Sequence, residues 1–326
     1  MKIFYAVQAT GNGHISRAME LLPYLMQYGT VDIFLSGNNS NLKLDAPVKY
    51  RSRGLSLYYT CNGGLDYWKI ARHVNPLALK KEIRALPVED YDFVINDYDY
   101  ITAAACRSKK IPSVNFGHQA SFQSDKVPRP ESLSRSGEWM LKNYARGERY
   151  LGLHFKSYDD FILTPVIKKE ILEATPADKG HIAVYLPSYC DQELRQIFLK
   201  LKEHRFEIFS RQSGSVREEG NIRFVPVDRQ LFNKSLIHCR EIITGGGFET
   251  PSEALHLGKK IMAIPIRGQY EQCCNAAALK EMGIMTLSRI GDDFEQQFEK
   301  WQNEYKPVQM DYSKTIPQSM DRLFGR

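Results

Sequence analysis

The sequence predicts an α/β protein built from two similar, open, mostly parallel sheets facing each other across a cleft. Three observations point there. Short apolar runs alternate with longer amphipathic stretches from the first residue onward, the pattern of strands joined by helical crossovers. The alternation restarts after "TPVIKKEILEATPADKG" (164–180), which carries two Thr-Pro pairs and a glycine. With 326 residues and 43% hydrophobic content, the chain is long enough for two domains of about 150 residues each.

In the first half, strands are expected at 2–7, 31–35, 48–53, 93–97, 113–116 and 161–163. Helical patterns separate most of them. Ile15, Ala18, Leu22 and Leu25 recur at helical spacing, and Gly29 closes that segment. In the second half, strands are expected at 181–186, 206–209, 222–227, 241–243 and 260–265, with helices such as "DQELRQIFLKLKEH" between them. The boundary falls near Thr164 and Pro165, dividing the chain into 1–164 and 165–311. The last segment, 312–326, places Ile316, Met320, Leu323 and Phe324 at helical spacing and is expected to pack back on one of the two domains, the first being the candidate. Sheets of this kind bind ligands outside the carboxyl ends of their strands. Function is therefore sought in strand-end loops.

Bulk properties exclude several classes. The net charge of +6, from 44 basic and 38 acidic residues, comes without a long block of like charge, so no nucleic-acid partner is expected. Cysteines at 61, 106, 190, 239, 273 and 274 show no paired CxxC spacing, which favours reduced thiols and a cytoplasmic location. The N-terminus enters a strand directly, and no run approaches the roughly 18 apolar residues a membrane span needs.

Two glycine loops carry the chemistry. In "TGNGHIS" (10–16), Gly11 and Gly13 are followed by Ser16 where a dinucleotide fingerprint has its third glycine. The next strand ends in "FLSGNN" without a ribose-binding acid, and no Gly-Lys-Ser/Thr follows the loop. Neither NAD nor a Walker-type site is indicated. His14, an ionisable ring at the first turn of a helix beside the cleft, sets this loop apart from a plain tight turn. The second loop, "TGGGFETPSEALHLGKK" (244–260), exposes the amides of Gly245, Gly246 and Gly247 ahead of a helix N-terminus, a competent diphosphate site with no metal required. Thr250, Pro251 and Glu253 spell a capping box, so Glu253 is either a cap or a carboxylate for ribose hydroxyls. Downstream, "RGQYEQCCNAAALKEMG" (267–283) offers Glu271, Gln272 and Asn275, a carboxylate and two amides suited to sugar hydroxyls.

That order of features resembles GT-B nucleotide-sugar glycosyltransferases, and is most similar to the MurG-like branch that makes a lipid-linked disaccharide. "GNGHISR" matches the N-terminal glycine loop of that branch, and "GGFETPSEALHLGKKIMAIPIRGQYEQCCNAAAL" its donor-binding signature. The resemblance implies a metal-independent, inverting transferase that uses a UDP-sugar donor and no cofactor. Gly245, Gly246 and Gly247 would face the diphosphate, Glu253 would hold the ribose diol, and Glu271 with Gln272 would read the transferred sugar. The uracil would meet backbone near Val227. The first loop would face the acceptor, which is left open between a glycan and a lipid-linked glycan. Glu271 and Gln272 stand where that branch has a tandem glutamine pair, and Cys274 replaces an aromatic, so the donor sugar is not named.

Sugar transfer also needs a group to take the acceptor's proton. His14 is the candidate base, because imidazole titrates near neutral pH. Asp97, at the end of "FVIND", is expected to orient it, as in related GT-B enzymes. In "DYD" (97–99) the alternative is a metal pair of Asp97 and Asp99, since alternate residues of an extended chain share a face. The simpler expectation puts Asp99 on the acceptor side with Gly11, Asn12, Gly13, His118 and Gln119. Residues 139–155 mix aromatic and basic side chains. Gly147 and Gly152 interrupt any helix there, so packing on the first domain is favoured over peripheral membrane contact. Two rival functions remain, a UDP-sugar 2-epimerase and a non-catalytic sugar-nucleotide sensor.

Overall fold

A computed structural model describes residues 1–9, 12–37, 44–54 and 75–325. Gly11 lies outside the described residues. Two seven-stranded sheets form, as the alternation predicts. The first contains β1 (Lys2–Gln8), β2 (Thr30–Ser36), β3 (Val48–Ser52), β4 (Phe93–Asp97), β5 (Val114–Gly117), β6 (Arg149–Leu153) and β7 (Ile162–Leu163). Its spatial order is β3-β2-β1-β4-β5-β6-β7, and every pairing is parallel. The second contains β8 (His181–Tyr185), β9 (Arg205–Ser210), β10 (Arg217–Glu219), β11 (Ile222–Pro226), β12 (Glu241–Thr244), β13 (Lys260–Ala263) and β14 (Met285–Thr286). Its order is β10-β11-β9-β8-β12-β13-β14, parallel except for the β10–β11 edge.

In both sheets the order of strand addition reverses beside the first strand, and that switch point opens a crevice at the carboxyl ends. In the first sheet the crevice lies between β1 and β4, where Val7 pairs with Asp97. In the second it lies between β8 and β12, where Tyr185 pairs with Thr244. The helix Asn12–Leu25 leaves the first crevice and buries Ile15, Ala18, Leu21, Leu22 and Leu25 on one face. The helix Glu249–His256 leaves the second.

β6 lies within the basic-aromatic stretch 139–155, which sequence reasoning left without a strand. Gly152 is what makes the strand fit: a Cβ there would lie 2.7 Å from Ser121 Cα. The helix Arg135–Asn143 precedes it and leaves Trp139 exposed. The C-terminal helix Thr315–Phe324 returns to the first sheet, with Phe324 stacked on Tyr28 at 4.1 Å. One apolar cluster runs through both halves, joining Ile3, Phe155 and Leu163 to Ile242, Phe248, Leu255 and Tyr312. No helix among the described residues is long and apolar enough to cross a membrane.

Candidate active site

At the first crevice, His14 Nδ1 lies 2.9 Å from Asp97 Oδ1, so the expected pair forms. A carboxylate oxygen only accepts, so the bond to Asp97 requires the proton on Nδ1 and leaves Nε2 its lone pair; in that tautomer the 3.0 Å approach of Arg17 Nη2 to Nδ1 is a contact between two donors and not a hydrogen bond. The chain reaches this geometry by turning sharply after β4. Tyr98 is left-handed, with φ of 57°, and Asp97 and Asp99 consequently part company. Gly117 allows the close approach of β5, because a Cβ there would sit 2.5 Å from Asp97 Oδ1.

The pair is held by a residue that sequence reasoning missed. Arg17 Nη2 donates to Asp97 Oδ1 at 2.8 Å and to Oδ2 at 2.9 Å, while Nε reaches Oδ2 at 3.2 Å. Its Nη1 crosses to the second lobe and bonds Glu249 Oε1 at 2.6 Å. Burial pushes the Asp97 carboxyl up, but Arg17 and His14 outweigh it and hold the group below its ordinary value. Gly13 faces the same carboxylate of Glu249, since a Cβ on Gly13 would lie 2.7 Å from it. The anion at the first loop is therefore one of the protein's own. Asn12 begins the helix that carries Gly13 and His14.

Several expectations need correction. Asp99 is buried and does not face an acceptor: its Oδ2 accepts from Thr102 N at 2.6 Å, which caps the helix Tyr100–Lys109. Asp97 and Asp99 also fail to share a face, since the left-handed Tyr98 between them turns Asp97 to His14 and Arg17 and Asp99 to the Thr102 amide. The capping box at Thr250 is not formed. The helix starts earlier, at Glu249, with Phe248 at its cap and no side-chain cap bond. Phe248 is fixed by stacking on His118 at 3.9 Å and 7°, which sets where the helix begins. Glu253 instead lies buried against Lys168, whose Nζ is 2.9 Å from Oε1.

The glycine turn is only partly bare. Gly245 gives its N–H to Tyr185 O at 3.2 Å, so it offers no amide to a ligand. Gly246 packs against Gln272 and Pro265, and a Cβ there would meet Gln272 O at 2.7 Å. Gly247 is open on that side, with nothing within 4 Å. The amides of Gly246 and Gly247 have no backbone acceptor among the described residues. Val227, just past β11, gives its N–H to Ser210 O at 3.2 Å.

Across the seam the two lobes interlock. His118 Nδ1 lies 2.9 Å from Leu153 O and its Nε2 2.9 Å from Asn275 Oδ1. Asn275 Nδ2 donates to Gly246 O at 3.0 Å. Asn275 is thus a buried tie between the lobes and not a free sugar ligand. Gln119 Nε2 donates to both Glu271 oxygens, at 3.3 and 3.2 Å, so these two face each other instead of lying on separate acceptor and donor sides. Gln272 Oε1 accepts from Ile266 N at 2.9 Å and closes its own turn. Tyr270 adds a bond to Glu138 Oε2 at 3.1 Å.

Burial pushes the His118 pKa down to about 3; the contacts to Leu153 and Asn275 oppose this but are the smaller effects. The unfolded chain then binds a proton on this ring at higher pH than the folded protein does. Stability is expected to rise with pH from about 3 to about 6.5, the ordinary histidine value, and to level off above it as far as this group is concerned. Denaturant titrations across that range on the protein and on His118→Gln check it. An unchanged slope in the variant would assign the dependence to other groups.

A comparison with curated protein sequences finds no match. Solved structures are similar along nearly the whole chain. MurG of Acinetobacter baumannii is 15% identical, with 99% of this chain and 98% of that one covered and a TM-score of 0.58. UGT89C1 of Arabidopsis thaliana complexed with UDP is 12% identical, covers 99% and 94%, and has a TM-score of 0.60. SnogD from Streptomyces nogalater is 16% identical, covers 99% of each chain, and has a TM-score of 0.51. These likenesses establish the GT-B fold. Residues 1–299 match the family model described as Glycosyl transferase family 1. The protein belongs to that family and is a GT-B glycosyltransferase.

Proposed function

We propose that the protein moves a sugar from a UDP-sugar to an acceptor hydroxyl with inversion at the anomeric carbon and without a metal. The observation that carries this reading is the His14–Asp97 pair at one strand-end crevice, tied through Arg17 to Glu249 beside the glycine turn of the other. His14 Nε2 takes the acceptor's proton while Asp97 stabilises the imidazolium that results. The freed oxygen attacks the anomeric carbon from the face opposite the diphosphate. The departing diphosphate meets the amides of Gly246 and Gly247 and the positive end of the helix Glu249–His256. Arg17 draws the Glu249 charge away from that site. Glu253 meets the ribose, backbone at Val227 the base, and Glu271 with Gln119 the sugar hydroxyls. UDP as the carrier is supported by UGT89C1, which was solved with UDP and with UDP-L-rhamnose. The acceptor stays unassigned, with a glycan and a lipid-linked glycan as its candidates, reached from the cytoplasmic side with at most peripheral membrane contact.

Thermal-shift measurements with UDP, GDP, dTDP and their sugars test the donor. A ligand at 100 times its Kd stabilises the folded state by about 2.7 kcal/mol, and the UDP series is expected to give the largest shift. Stabilisation by NAD with none by any sugar nucleotide would overturn the reading. Product analysis with donor alone separates transfer from epimerisation.

A further inference from the structure

We propose that Lys168, in the linker between the two sheets, is a positioning residue for ribose recognition: it holds the Glu253 carboxylate so that its unused lone pairs accept a vicinal diol. The inference rests on the reading of Glu253 given above.

Lys168 is fixed by its surroundings. Ile167 and Ile171, on either side of it, are buried in the apolar cluster common to both halves. Its ammonium has three donors, and three acceptors surround it: Glu253 Oε1 at 2.9 Å, Glu253 Oε2 at 3.2 Å and Asn233 Oδ1 at 3.1 Å. Asn233 cannot turn away, because its Nδ2 is given to Glu170 Oε2 at 2.6 Å. The lysine is therefore saturated and offers no donor to a phosphate.

Glu253 is not saturated. An ionised carboxylate has about four lone-pair sites, and Lys168 takes one on each oxygen. No other hydrogen-bond donor to this carboxylate is found among the described residues. Glu249 lies close enough to add its negative field, so an anion is disfavoured at the open sites. A neutral group with two adjacent O–H donors fits them, which is the 2′,3′-diol of a ribonucleoside. Without Lys168, the carboxylate would be buried and uncompensated; burial already pushes its pKa up, and the lysine pulls it back. A protonated Glu253 would lose an acceptor and no longer match a pair of donors.

The test is calorimetry with UDP, ADP and GDP, each against its 2′-deoxy form, on the wild type, Lys168→Met and Lys168→Arg. Losing one hydrogen bond to a charged group predicts a ribose preference of about 10- to 100-fold in the wild type. Lys168→Met is expected to bring the ribonucleotide down to the affinity of its deoxy form while leaving the deoxy form within about twofold. Lys168→Arg restores part of the preference. Equal weakening of both forms in Lys168→Met, or an unchanged preference, would overturn the proposal by reducing Lys168 to a structural tie. A wild type that binds UDP without ribose preference overturns it while leaving the transferase reading intact. A wild type that binds none of the three overturns both.

Discussion

Replacing Arg17 by Met is expected to lower the unfolding free energy by about 3–5 kcal/mol in denaturant titration, the cost of removing one partner from a buried ion pair. Asp97 is fully buried, and Arg17 supplies three of the hydrogen bonds that hold it. With methionine there, His14 is the one hydrogen-bond partner Asp97 keeps among the described residues, and Glu249 loses its bond to Arg17 of the first lobe. Arg17→Lys preserves the charge but cannot span both carboxylates, so it should fall between wild type and Met. A loss below about 1 kcal/mol in the Met variant would mean that solvent reaches Asp97 and the pair is effectively a surface one.

The second large effect is kinetic. His14→Ala is expected to reduce kcat about 10²- to 10⁴-fold, the usual contribution of a positioned general base. UDP affinity should stay within a factor of about two, because no donor contact is assigned to the ring. His14 is the cleaner choice for this test: Asp97→Asn would also strip Arg17 of its counter-charge. Steady-state rates and UDP calorimetry on the same preparation separate the cases. Parallel loss of turnover and UDP binding would move His14 from the reaction to the donor site.

The strands were legible because parallel strands buried on both faces are short apolar runs, and all eleven expected runs match to within a residue or two. β6 was hidden because "RYLGL" opens with charged and aromatic residues and needs Gly152 to pass Ser121. The pairing of His14 with Asp97 was legible too, since both sit at strand ends flanking the same crevice. Arg17 carried a local signal, being three residues beyond His14 and so on the same helical face. Its partner Glu249 lies 232 residues away, and nothing local marks that contact. The misplaced cap has a similar cause. Thr250-Pro251-x-Glu253 is a valid local signature, but Phe248 stacks on a histidine of the other lobe and starts the helix two residues sooner.

The apolar cluster that joins Phe155 and Leu163 to Phe248, Leu255 and Tyr312 does not stop at the linker. Each lobe thus contributes wall to the other's interior, and the two are not interchangeable modules. A chimaera that borrows the nucleotide-binding lobe of a relative would present mismatched side chains along that wall, so grafting donor preference onto this scaffold has to proceed by loops at the strand ends.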